Sequence, residues 1–117
     1  MREDVRIQQW QRDLAQPHRH PGPADLDQFG TQALAWVVQH FTTLPEQSIG
    51  ETASRAHMEG LLGEPAPETG QAFARVFAEF REKIAPFAFR VDHPRFLAFV
   101  PGAPTFWSIL GDLLCAG

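Results

Sequence analysis

Residues 93–117 read HPRFLAFVPGAPTFWSILGDLLCAG, and they carry the strongest structural signal in the chain. An apolar, aromatic stretch leads into a turn rich in proline and glycine at residues 101–104. Thr105 then stands at a favourable N-cap position for a helix. The apolar residues of that helix are Phe106, Trp107, Ile109, Leu110, Leu113 and Leu114. This helix would expose a large apolar surface in water, so we expect other protein to cover it.

Upstream, apolar residues three and four positions apart predict two more helices. In the first, Asp25 is the expected N-cap, with Gln28 at capping-box spacing, and Pro45 marks the end. The second spans Thr69 to Ile84 and stops at Pro86. Weaker patterns predict a polar helix over residues 2–16 and a short helix over 52–62 that ends at Gly63.

Residues 87–100 are expected to be extended, because apolar side chains alternate there, although Pro94 argues against a regular central strand. The fold class predicted for the chain is therefore all-α, with Pro/Gly-rich linkers and little or no sheet. We expect a polar N-terminal helix and Pro-rich linker over residues 1–23, and a helical segment over 24–117.

Composition narrows the possible functions. The chain has 117 residues, 44% of them hydrophobic, and a net charge of −4, so it offers no electrostatic case for binding nucleic acid or an anionic membrane. The lone Cys115 excludes an internal disulfide, and its apolar neighbours predict a buried thiol. His18 and His20 lie in a Pro-rich linker without a recognised ligand spacing, so no metal site is predicted. The N-terminus is charged and leads into no apolar core, so we expect no secretory signal there and a cytoplasmic protein.

The order HPRF, AFVPGA and WSILGDLL from His93 onward resembles the N-terminal part of the pyridoxal-phosphate-dependent group II decarboxylases. That family includes the aromatic-L-amino-acid, histidine and glutamate decarboxylases. The resemblance implies that the chain is the N-terminal helical segment of a fold-type I α/β enzyme that removes the carboxylate of an amino acid. The layout of helices and linkers resembles that of the family over about residues 25–117, but motifs specific to the family begin only at His93.

The resemblance also implies a substrate pocket. Phe99, Val100, Pro101 and Gly102 should line the side-chain pocket of the complete enzyme, with Phe99 against the substrate and Pro101 bending the wall. Val91 stands where aromatic-amino-acid decarboxylases tend to carry Trp, and Gly102 where they carry Thr. Both departures imply a wider, less polar wall and leave the substrate open, as well as the choice between simple and oxidative decarboxylation.

By the same resemblance, the cofactor is pyridoxal 5′-phosphate, held mainly by residues outside this chain. The single lysine, Lys83, matches no cofactor-lysine motif, so no catalytic residue is assigned and the piece alone should be inactive. The partners implied are a second copy, through the N-terminal helices of a homodimer, and an amino-acid substrate. The alternative from another class is a small non-enzymatic helical module that binds a partner through the Trp107–Leu114 face.

Overall fold

A computed structural model describes residues 4–15, 20–99 and 102–117, and all of their regular structure is helical. The α-helices are α1 (Val5–Ala15), α2 (Pro23–Thr43), α3 (Arg55–Leu62), α4 (Phe73–Glu79) and α5 (Phe106–Ala116). No strand occurs in these three ranges, which confirms the all-α prediction for them.

Prolines end two of the helices, as predicted. Pro45 lies in a short 3-10 helix, Leu44–Glu46, which follows α2 directly. After α4 the backbone widens into a π-helical turn, Phe80–Ile84, and then tightens into a 3-10 turn that contains Pro86. Proline has no backbone N–H and its ring opposes the carbonyl four residues earlier, so the regular α-helical ladder cannot continue through this position.

The chain divides into two units within α2, Met1–Gln32 and Ala33–Gly117. In the first, the apolar side chains of α1 are exposed, as expected for a sparse apolar pattern: Val5, Trp10 and Leu14. In the second, Trp36 of α2 meets Phe80 edge to face, with ring centroids 5.0 Å apart. Phe41 meets Phe106 at 6.0 Å in the same manner.

The core of the second unit is thin. Among the described residues, Leu44 is the one buried apolar side chain, with 5% of its surface exposed. On α5, Trp107 and Leu114 are each 81% exposed. Cys115 at the end of that helix is exposed too, so the prediction of a buried thiol was wrong. The apolar residues directly before the thiol, Leu113 and Leu114, are exposed as well.

The helix starts are partly as predicted. Thr105 caps α5 in a reciprocal capping box with Ser108, which confirms the assignment of this N-cap. Asp25 does not cap α2, because the helix begins earlier, at Pro23. The Asp25 carboxylate instead accepts a hydrogen bond from the Gly22 N–H at 3.2 Å. Proline is favoured in the first turn of a helix, and this preference moves the start upstream.

Three other predicted segments need correction. The helix expected from Thr69 begins at Phe73, since Ala72 is extended. The short helix expected from Thr52 begins at Arg55, where Ser54 caps it. Residues 87–99 form no regular extended stretch: Ala88 is extended, but the chain turns over residues 91–95, and the N–H of Phe96 bonds to the carbonyl of His93 at 2.9 Å. Pro94 occupies the second position of that turn, which suits its fixed φ.

Gly60 within α3 and Gly63, the C-cap of α3, give a paired test of this geometry. A Cβ at Gly63 would collide with the Glu59 carbonyl oxygen, which also accepts the C-terminal hydrogen bond from Gly63 N–H. We expect Gly63→Ala to destabilise the protein by about 1–3 kcal/mol, the usual cost of overpacking. A Cβ at Gly60 meets nothing within 4 Å, so Gly60→Ala should stabilise by about 0.5–1 kcal/mol. Urea unfolding curves that shift equally for both variants would contradict this.

Within the described ranges, no helix has both the length and the apolar character needed to cross a membrane.

Candidate functional site

The segment that the sequence assigns to the substrate pocket lies between the turns after α4 and the start of α5. Val91 is half-buried in a turn, whereas Phe99 and Gly102 are exposed. Val100 and Pro101 lie outside the described residues. The proposed contacts of all five with a substrate therefore stay predictions.

Phe99 has an unusual backbone conformation. Its φ is +63°, and it is the one non-glycine residue with positive φ among those described. For a bulky L-residue the left-handed region costs roughly 1–2 kcal/mol. Its side chain is 89% exposed and gains little from local packing. Strained residues of this kind cluster at ligand-binding and active sites, which makes Phe99 the most informative of the predicted pocket residues.

His93 is the buried polar residue at the beginning of this segment, with 3% of its surface exposed. Its Nε2 lies 3.0 Å from the carbonyl oxygen of Gln47, and its Nδ1 accepts from the N–H of Arg95 at 3.0 Å. Its own backbone N–H donates to the Arg90 carbonyl at 3.0 Å, while its carbonyl accepts from Phe96. His93 therefore joins a local turn to a loop 46 residues earlier in the chain.

That loop is itself fixed to the end of α2. The side-chain amide of Gln47 donates to the carbonyl of His40 at 3.2 Å and to the Thr43 hydroxyl at 2.7 Å. Beside His93, the carboxylate of Asp92 lies 3.4 Å from Nε2 of His40. Two consecutive residues, Asp92 and His93, thus connect the segment to α2 and to the loop after it.

Further hydrogen bonds align residues 86–90 with the same loop. The guanidinium of Arg90 donates to the carbonyl of Ser48 at 2.7 Å, and its backbone N–H donates to the carbonyl of Ile49 at 3.0 Å. The N–H of Glu51 donates to the carbonyl of Pro86 at 3.3 Å. The loop and the chain before His93 therefore form one hydrogen-bonded layer without being a sheet.

An open cleft of about 550 Å³ lies beside this layer. Its lining mixes aromatic, acidic and basic side chains, and the π-helical turn contributes Phe80 and Arg81. Of the predicted pocket residues that the structure describes, Val91, Phe99 and Gly102, none lines it. The remaining lining residues are Trp36, Gln39, His40, Thr43, Gln47, Glu51, Ala85, Pro86, Ala88, Phe89, Arg90 and Asp92.

The described residues do not fit pyridoxal phosphate. The amine of Lys83 lies 3.7 Å from a carboxylate oxygen of Glu79, one turn away on the same helical surface. Glu79 also lies 3.5 Å from the guanidinium of Arg75, so this lysine belongs to a surface charge network and not to a pocket. No three side chains of the usual metal-ligating types come together anywhere in the three described ranges.

Sequence reasoning marked His93 as part of a motif but missed its role in hydrogen bonding. The signal available was a histidine directly before a proline, between two turns. Its partner Gln47 stands in a polar connection with no motif, so the long-range contact had no counterpart in the sequence pattern.

Comparison with known proteins finds several similar enzymes, although no family model matches the chain. An aromatic-L-amino-acid decarboxylase from Bacillus atrophaeus is 29% identical over 93 residues, which are 80% of this chain and 19% of that enzyme. A 4-hydroxyphenylacetaldehyde synthase from Rhodiola rosea is 26% identical over 98 residues. Human histidine decarboxylase is 23% identical over 92 residues, 79% of this chain and 14% of that enzyme.

The fold agrees with these likenesses. The crystal structure of the Rhodiola rosea synthase superposes with a TM-score of 0.73 at 24% identity, over 82% of this chain and 21% of that one. The chain thus spans about a fifth of the length of the first curated relatives that it matches. These likenesses confirm the resemblance seen from His93 onward: the chain matches the N-terminal region of the group II pyridoxal-phosphate-dependent decarboxylases.

Proposed function

We propose that the chain is the N-terminal dimerisation and substrate-pocket segment of a pyridoxal-phosphate-dependent amino-acid decarboxylase. The observation that carries the proposal is the likeness to curated decarboxylases and aldehyde synthases over about four fifths of the chain. The cofactor and its lysine belong to a fold-type I α/β large domain beyond these residues, since Lys83 is engaged with Glu79. The segment proper comprises residues 24–117, after a polar helix and linker over residues 1–23, and the enzyme acts in the cytoplasm.

The dimerisation role is supported by apolar surface that the segment does not cover. Trp107 and Leu114 are seven positions apart on α5, so they share one face, and both are largely exposed. Burying such side chains contributes about 1.5–3 kcal/mol each. A second copy of the chain, together with the body of the enzyme, supplies the covering surface in this proposal.

The pocket role is supported by the strained, exposed Phe99 and by the open surroundings of Gly102. A Cβ at Gly102 meets nothing within 4 Å, and its φ is not positive, so a side chain is accepted there without strain. We expect Gly102→Thr in the full-length enzyme to leave the melting temperature within about 2 °C, the effect of a small surface change. Its hydroxyl should shift preference toward substrates with a ring hydroxyl by about 5- to 10-fold, the net value of one hydrogen bond.

The measurement for Gly102→Thr is kcat/KM for paired substrates with and without the hydroxyl, such as tyrosine and phenylalanine. Gly70→Thr is the matched control, because a Cβ there also meets nothing within 4 Å and the position lies in an exposed loop outside the proposed pocket and outside the Trp107–Leu114 face. An unchanged substrate ratio in a folded Gly102→Thr enzyme would remove Gly102 from the pocket.

The alternative is a small non-enzymatic helical module that binds a partner through the Trp107–Leu114 face, and the exposure of this face is its support. The two functions differ in how the isolated 117-residue polypeptide behaves. Light scattering should show self-association or aggregation if the face belongs inside an enzyme. A stable, monodisperse monomer would favour the module.

A further inference from the structure

The side chain of His93 makes hydrogen bonds that its position in a turn does not require. A turn needs only backbone groups, yet both ring nitrogens of His93 have partners, and the side chain is buried. Buried polar groups without partners are costly, so this arrangement is stable only while each partner stays in place. The ring therefore constrains the two segments that it connects.

The partners also determine where the ring carries its proton. The N–H of Arg95 can only donate, so Nδ1 must offer a lone pair. The carbonyl of Gln47 can only accept, so Nε2 must carry the hydrogen and donate it. The two contacts together select the neutral Nε2–H tautomer.

The contact with Gln47 extends to α2. The amide of Gln47 is bonded to the carbonyl of His40 and to the hydroxyl of Thr43, while Asp92 lies against the His40 ring. A continuous path therefore runs from the end of α2 through Gln47 and His93 to the N–H of Arg95. Four of the five residues assigned to the substrate pocket follow Arg95 in the sequence, beginning with Phe99.

We propose that His93 is a positioning residue: through Gln47 it holds the described part of the pocket segment, residues 94–99, in place against the end of α2. The inference rests on the proposed function, because it gives His93 its importance for substrate binding. His93 does not touch substrate in this proposal. It fixes the starting point of the strained stretch that carries Phe99.

Two substitutions separate the two ring contacts. In His93→Asn, the short amide can accept from the Arg95 N–H, as asparagine does two residues on in an Asx turn, but it does not reach Gln47. In His93→Gln, the longer amide can donate to the Gln47 carbonyl and loses the local bond. His20→Asn is the matched control, since His20 is exposed in the other unit.

The experiment uses the full-length protein with two measurements, steady-state kinetics and hydrogen exchange of the Phe96 amide. The acceptor of that amide is the backbone carbonyl of residue 93, which is present in every variant. We expect His93→Asn to raise KM about tenfold with kcat changed less than about twofold, and to speed exchange about tenfold, as expected for one lost buried hydrogen bond. His93→Gln should restore both values to within about threefold of wild type, because it retains the long-range contact. His20→Asn should match wild type.

The outcomes distinguish the two proposals. If the wild-type enzyme releases CO2 and His93→Asn has the KM and exchange of wild type, the positioning role is wrong and the proposed function stands. If no CO2 is released but exchange differs between His93→Asn and His93→Gln as expected, the positioning role of His93 stands and the proposed function fails. If His93→Asn and His93→Gln have the same exchange rate, the contact with Gln47 does not hold the segment in place. Should neither variant fold, exchange in the wild-type protein decides: a positioned segment requires a protected Phe96 amide, and an unprotected one would overturn the proposal.

Discussion

Phe99→Ala in the full-length enzyme should lower kcat/KM by about 10- to 100-fold, with most of the loss in KM. An aromatic side chain packed on substrate contributes about 1.5–3 kcal/mol, which corresponds to this range. The ring is 89% exposed in the segment itself, so its removal should cost the segment little stability. Steady-state kinetics together with thermal unfolding separates the two effects.

Two companion variants make the result specific. Phe89→Ala removes the same side chain at a position that is 72% exposed and outside the pocket segment, so kcat/KM should stay close to wild type. Phe99→Gly should lose activity like Phe99→Ala but be more stable than it, because glycine adopts a φ of +63° without the penalty of a Cβ. Equal kinetic losses for Phe89→Ala and Phe99→Ala would contradict the pocket assignment.

Leu114→Glu should dissociate the full-length enzyme or prevent its assembly. The substitution removes about 1.5–3 kcal/mol of apolar burial and places a charge in an apolar contact, which costs several kcal/mol more unless it finds a partner. The dissociation constant should therefore rise more than about 100-fold. Sedimentation analysis over a range of protein concentrations measures this shift, and circular dichroism checks that the helices persist.

Asp112→Lys is the control for Leu114→Glu, since Asp112 is an exposed charged residue on the same helix and lies off the Trp107–Leu114 face. It should leave assembly unchanged, whereas Trp107→Glu should behave like Leu114→Glu. An enzyme that carries Leu114→Glu and still sediments as the wild-type assembly would show that this face is not buried between subunits or against the enzyme body.

The helices could be predicted where local patterns agree with one another. For α5, the apolar spacing, Thr105 as N-cap and the preceding proline-rich turn all indicate the same helix. For α2, two local signals compete: Asp25 with Gln28 has the spacing of a capping box, while Pro23 favours the first helical turn. The proline prevails, because Asp25 can still accept a hydrogen bond from Gly22 inside that turn.

The candidate site was harder to predict from the sequence, because its geometry depends on contacts between residues far apart in the chain. Alternating apolar residues suggested an extended chain over residues 87–100, but Pro94 and the backbone bonds of His93 produce turns. The contact between His93 and Gln47 joins residues 46 positions apart, and no spacing rule points to it. The exposure of Cys115 likewise depends on what covers α5, which the residues around the thiol do not determine.

The most direct test of the account is CO2 release by the full-length protein with pyridoxal phosphate, measured over a panel of aromatic amino acids, histidine and glutamate. We expect substrate-dependent CO2 release with at least one of these amino acids, and none from the 117-residue polypeptide alone. A folded full-length protein that contains the cofactor and releases no CO2 from any of them would contradict the assignment to a decarboxylase.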